Sequence, residues 1–158
     1  VSNITLKISH GPSDTPQQIT LEQYSIQPRG FAPYRFFTQD AATTASDAKL
    51  SIARSETVTQ PKSGLRVHHE SGQLTRSEFG DVQYNITAHI ENPHDSLVRG
   101  VRLVATLIDS NDTVIGYRVV EWPQGIAAGK SRRLHLTLVP QVVVDSAHHV
   151  LTIETRPQ

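Results

Sequence analysis

Histidine is the residue whose type and number first invite chemistry: eight stand among 158 residues, including the couples His68-His69 and His148-His149. Imidazole is a common metal ligand and titrates near neutral pH, so it also serves as a general base. Both couples lie in strand-like sequence, where adjacent side chains point to opposite faces, and neither couple chelates one ion by itself. A shared ion would need a cross-strand partner such as His89. The expectation is surface or half-buried histidine, with no metal ligand, cofactor-binding residue or catalytic residue assigned.

Other constellations imitate known chemistry and stop short of it. Gly125-Ile126-Ala127-Ala128-Gly129-Lys130-Ser131 looks like a phosphate loop. That motif needs four residues between its glycines and a helix after them, whereas three separate these and strand-like Arg133-Leu134-His135-Leu136 follows. Asp109, Asn111 and Thr113 open like a calcium loop, but Val114 holds the sixth position, where the bend requires glycine. His69-Glu70 lacks the second histidine of a zinc-protease helix, since Gln73 occupies that place, and no Gly-x-Ser-x-Gly elbow is present. Asn3, Asn85 and Asn111 each begin a glycosylation sequon, active only in a secretory pathway that uses it. No enzyme is read from these residues.

Composition narrows the classes further. Fifteen basic residues balance fifteen acidic ones, so no net field steers the chain toward nucleic acid or an anionic membrane. Without cysteine there are no disulfides, thiolate zinc sites or cysteine nucleophiles. No apolar run reaches the ~18–20 residues that span a bilayer as a helix. A chain that starts at Val1 and lacks methionine reads as processed or excised, with membrane attachment expected only through sequence outside it.

The elements that must position any site read as strands. Ile4, Leu6 and Ile8 alternate with polar residues, as do Ile19 and Leu21, and Leu50 and Ile52. Val82, Tyr84, Ile86, Ala88 and Ile90 face one way, with Asp81, Gln83, Asn85, Thr87, His89 and Glu91 opposite. Val101, Leu103, Ala105 and Leu107 alternate likewise, and strands follow at Val114–Trp122, Leu134–Leu138 and Val150–Ile153. This is five strands after residue 64 and three or four before it. The only helical hint is the alanine-rich stretch Asp40–Ala48, which Thr43 and Thr44 oppose. Turns fall about every ten residues, at 91–96, 109–112 and 123–130, the spacing of an antiparallel sandwich.

The expected fold is all-β, an antiparallel immunoglobulin-like sandwich over 64–158. Strands or a docking arm make up the less regular 1–60, with flexible connections near 39–47 and 60–64. That segment holds Tyr24, Phe31, Tyr34, Phe36 and Phe37, five of the nine aromatics, with Arg29 and Arg35 nearby. Aromatics and arginine anchor protein interfaces, so these seven residues are the candidate interface; the competing reading is that they staple the segment to the sandwich.

The stretch from about Leu65 to Leu138 resembles the FxLYD-type domains, immunoglobulin-like or fibronectin-III-like modules found mostly outside the bacterial cytoplasm. The resemblance runs through Ile90-Glu91-Asn92-Pro93, then Val101-Arg102-Leu103-Val104-Ala105-Thr106-Leu107-Ile108-Asp109, Val114-Ile115-Gly116 and Ile126-Ala127-Ala128-Gly129-Lys130-Ser131. Ile108 stands where that family usually has an aromatic, and no glycine precedes Asn92. Gln27 to Phe36 resembles a second such turn into a last strand. Such modules share no catalytic site. The resemblance implies a non-enzymatic, extracytoplasmic module for adhesion, assembly or support of a larger complex, with other protein subunits or surface components as partners. The alternatives are a small-ligand or metal-binding domain using the histidines, and a hydrolase with a spatially assembled site.

Overall fold

The structure is a computed structural model that describes residues 2–9, 15–26, 30–35, 49–56 and 63–156. Its regular elements are antiparallel strands, with no helix among the described residues. The chain divides into two units, Val1–Gln60 and Pro61–Gln158. The helical hint at Asp40–Ala48 and the connection near 39–47 lie outside the described residues.

In the first unit β1 (Ser2–Ser9) is the centre of a three-stranded sheet, flanked by β2 (Gln17–Thr20) and β3 (Lys49–Glu56). Leu6 pairs with Ile19 on one side and Ile52 on the other, so the three side chains make one apolar row. Ile4, Leu6 and Leu21 form a small core with Ile26 and Ala32 against it.

The second unit packs two sheets of three strands face to face. One sheet has β5 (Val82–Glu91) between β4 (Arg66–Arg76) and β8 (Ser131–Leu138); the other has β6 (Val101–Asp109) between β7 (Val114–Trp122) and β9 (Ala147–Thr155). Alternation on β5 buries Val82, Tyr84, Ile86, Ala88 and Ile90, which meet Val101, Leu103, Ala105 and Leu107 of β6 in the core. Each buried Val, Leu or Ile among them stabilises the fold by roughly 1.5–3 kcal/mol. Here β6 departs from simple alternation. Val104, Thr106 and Ile108 are buried too, Val104 standing between Val119 and Thr152.

A sixth strand, β4, joins the five read from alternation in this half. Of its eleven residues Val67 and Leu74 are the hydrophobic side chains packed on the core, so an edge strand exposed over most of its length carries little period-two signal.

Two polar features lock the loops. Asn92 is completely buried, and its Nδ2 donates to the carbonyls of Ser96 (2.8 Å) and Ile126 (2.9 Å) while its Oδ1 accepts from the His94 amide (3.0 Å). All its side-chain donors and its acceptor are engaged, so it ties the β5–β6 crossover to the β7–β8 turn. In that turn Gly125 has φ +76°, and a Cβ there would lie 1.8 Å from the Val98 carbonyl oxygen. Only glycine admits this approach.

Candidate functional site

The histidines are brought together more closely than their spacing implies, but in pairs. Val67 to Ser71 crosses a register irregularity at which His69 takes φ 50°. Around it His68 Nε2 lies 2.6 Å from Glu91 Oε2, and His69 sits edge-on to His89 with ring centroids 5.7 Å apart. On the inner side, Tyr84 Oη lies 3.0 Å from His149 Nδ1, and Glu70 Oε1 lies 2.8 Å from His149 Nε2. The carboxylate is near enough for charge pairing but out of line for a hydrogen bond, so the buried Nε2 has no hydrogen-bond partner. Burial first, and the Glu70 charge second, hold the Tyr84 hydroxyl above its ordinary value of 10.0. A phenol so placed keeps its proton and is a poor nucleophile. Among the described residues no three His, Asp or Glu side chains are grouped to hold a metal ion.

The remaining motifs resolve into structure. Ser131 begins a strand, so the glycine-flanked segment before it is a turn and offers no helix N-terminus to a phosphate. The Asp109 carboxylate accepts from the amides of Asn111 (2.8 Å) and Thr113 (2.9 Å), closing the β6–β7 hairpin. Asn85 donates to Thr75 Oγ1 (3.2 Å) and accepts from Thr137 Oγ1 (2.7 Å), while Ser71 and Thr87 pair at 2.7 Å. The outer face of the β4-β5-β8 sheet is thus laced by its own cross-strand bonds.

Of the seven interface residues named from sequence, four are described. Phe31 is 45% exposed, Tyr34 and Arg35 are exposed, and Tyr24 is half-buried. Tyr24, Tyr34 and Arg35 each have an interaction partner. Arg29, Phe36 and Phe37 lie outside the described residues.

A second apolar exposure was not read from the sequence. At one end of the sandwich three loops meet: the β4–β5 turn, the β6–β7 turn and the loop 139–146 between β8 and β9. The pairings Tyr84 with Leu138 and Asp109 with Ala147 put them there. Phe79 is 93% exposed at the tip of the first, in a turn closed by Ser77 N to Asp81 O (2.9 Å) and Gly80 N to Ser77 O (3.0 Å). Val139, Val142 and Val143 are exposed on the third. That loop is held, since Gln141 N donates to Ile115 O (2.8 Å) and Arg76 reaches the Val144 carbonyl and Asp145 at 3.4 Å. The signal was a lone phenylalanine inside the polar Ser77-Glu78-Phe79-Gly80-Asp81 and a valine run following Pro140 in a non-strand segment. Compared with known proteins, the chain matches no family model, no curated protein and no solved structure.

Proposed function

We propose that the chain is a non-enzymatic, immunoglobulin-like β-sandwich module that works outside the cytoplasm in adhesion, assembly or support of a larger complex, with protein partners. The resemblance of 65–138 to FxLYD-type modules supports the compartment and the class. One observation carries the binding role: large apolar side chains, Phe79 above all, stand exposed at one loop end of the sandwich, where the loop bearing Val139, Val142 and Val143 is held in place. An exposed apolar cluster on a rigid loop is the usual anchor of a protein interface. The segment around Phe31 is the second candidate surface.

A photo-cross-linking residue placed at Phe79, at Phe31 and at Gln83 on the laced sheet face tests this in the protein's own host. A discrete adduct from Phe79 or Phe31, absent at Gln83, is expected; equal adducts from all three positions argue against a defined surface. Zinc titration addresses the histidine alternative. Saturable binding that disappears in His149→Ala would replace the assembly reading with a metal-binding one.

A further inference from the structure

The sheet of the first unit repeats one sheet of the second in strand order and in the pairing about Leu6 and Ile8, beyond which β1–β3 shifts register and β6–β9 does not. Both have a central strand first in chain order, its hairpin partner on one side and a later strand on the other, β2-β1-β3 against β7-β6-β9. In the first, Leu6 joins Ile19 and Ile52; in the second, Leu103 joins Val120 and Ile153. One step along, Ile8 faces Leu50 as Ala105 faces Leu151. One step back, Leu21 donates its amide to the Ile4 carbonyl, where Trp122 pairs with Val101. The separation from Ile19 to Ile52 is 33 residues, and that from Val120 to Ile153 is also 33.

The two sheets differ in what lies over them. In the second unit β8 packs over β7 and β4 over β9, so Leu151 and Ile153 are covered and join the core. In the first unit Ile26 and Ala32 pack beside Ile4, Leu6 and Leu21, the part that corresponds to the β8 side. On the β4 side, among the described residues, Leu50 is 48% and Ile52 67% exposed on the face shared with Ile8 and Leu6. Two large aliphatic side chains in one row on a sheet face are a packing surface.

We propose that the first unit is a second copy of the β6-to-β9 half of the sandwich, and that its Leu50–Ile52 face seats a β-hairpin of the β4–β5 kind. The occupant is two antiparallel strands whose second member alternates apolar and polar residues as β5 does. It enters from the N-terminal side of β1, because β5 runs into β6 through the short crossover 92–100. This inference stands apart from the partner-binding reading, which concerns other residues.

The test grafts residues 63–97 of this chain ahead of Val1, which gives Ile4 the same distance from the hairpin that Val101 has. Amide hydrogen exchange across β3 is then compared with the ungrafted chain. We expect β3 amides to slow by about 10-fold or more on grafting, and Ile52→Asp to cancel the slowing. Unchanged β3 exchange in a folded graft overturns the proposal. So does an ungrafted chain whose β3 is already as protected as β9. Protection that instead rises with concentration, with a dimer in sedimentation, assigns the face to a second copy and also overturns it. Should the graft not fold, a peptide of residues 63–92 added in trans decides: saturable binding that Ile52→Asp abolishes supports the hairpin, and no binding at millimolar peptide rejects it.

Discussion

Tyr84 of β5 and His149 of β9 meet across the sandwich, phenol oxygen 3.0 Å from ring nitrogen, in a space that exists because residue 72 has no side chain. A Cβ on Gly72 would lie 2.3 Å from Tyr84 Oη and 2.5 Å from His149 Nδ1. Tyr84→Phe should therefore cost about 1 kcal/mol, the value of one hydrogen bond, and Gly72→Ala more, about 1–3 kcal/mol, because it displaces both partners. Urea unfolding of the two variants gives the order directly; an equal or reversed order means the pair adjusts freely.

The same pair gives stability a dependence on alkaline pH. Tyr84 titrates above 10.0 in the folded chain, so the folded state holds the proton more firmly than the unfolded state. Its stabilising contribution is whole below pH 10 and is lost as pH rises through the folded value. Above pH 10 wild-type stability should fall more steeply with pH than that of Tyr84→Phe. Parallel curves would show that Tyr84 is not the group responsible.

Asn92→Ala removes the amide that donates to the Ser96 and Ile126 carbonyls and the oxygen that accepts from the His94 amide, leaving the Ile126 carbonyl with the Val98 amide alone. A loss of about 1–3 kcal/mol is expected. Asn92→Asp should do no better, since a carboxylate cannot donate to either carbonyl. Chemical denaturation of the two variants measures this, and an aspartate variant as stable as wild type would contradict it.

Leu103→Ala should cost ~2–5 kcal/mol, because Leu103 is fully buried in the β5–β6 core. Val104→Ala should also destabilise the chain, though by less, since a smaller side chain is removed from a buried position. A negligible effect at Val104 would mean that the outward face of β6 is wetter in solution than its burial implies.

Phe79→Ala should leave the melting temperature unchanged, because a side chain 93% exposed contributes little to folding. Partner binding should weaken by ~1–4 kcal/mol if the loop end is the interface. Phe31→Ala and Arg35→Ala separate the other surface: a large fall in melting temperature makes that segment a staple, while weakened binding at constant stability makes it an anchor.

Alternation of apolar and polar residues was enough to place β5, β6, β8 and the inner row Val101, Leu103, Ala105 and Leu107, because a residue facing water and one facing a core differ by transfer free energy at every step. Turn chemistry was equally local. Asp109 closes its hairpin with its own carboxylate, and Gly125 stands where no Cβ fits, so both are readable from residue type. Neither β4 nor the burial of Val104 and Thr106 could be read this way. Edge exposure erases the period on β4, and burial on both faces of β6 is a property of the packed fold that alternation does not carry. Phe79, His149 and Glu70 belong to the same class. Glu70 and His149 are 79 residues apart in the chain, and their 2.8 Å approach is set by the packing of β4 against β9. The repeat of Leu6-Ile19-Ile52 in Leu103-Val120-Ile153 was visible in the sequence only as similar turns. Strand pairing made it a row, because register joins residues that sequence separation leaves unrelated.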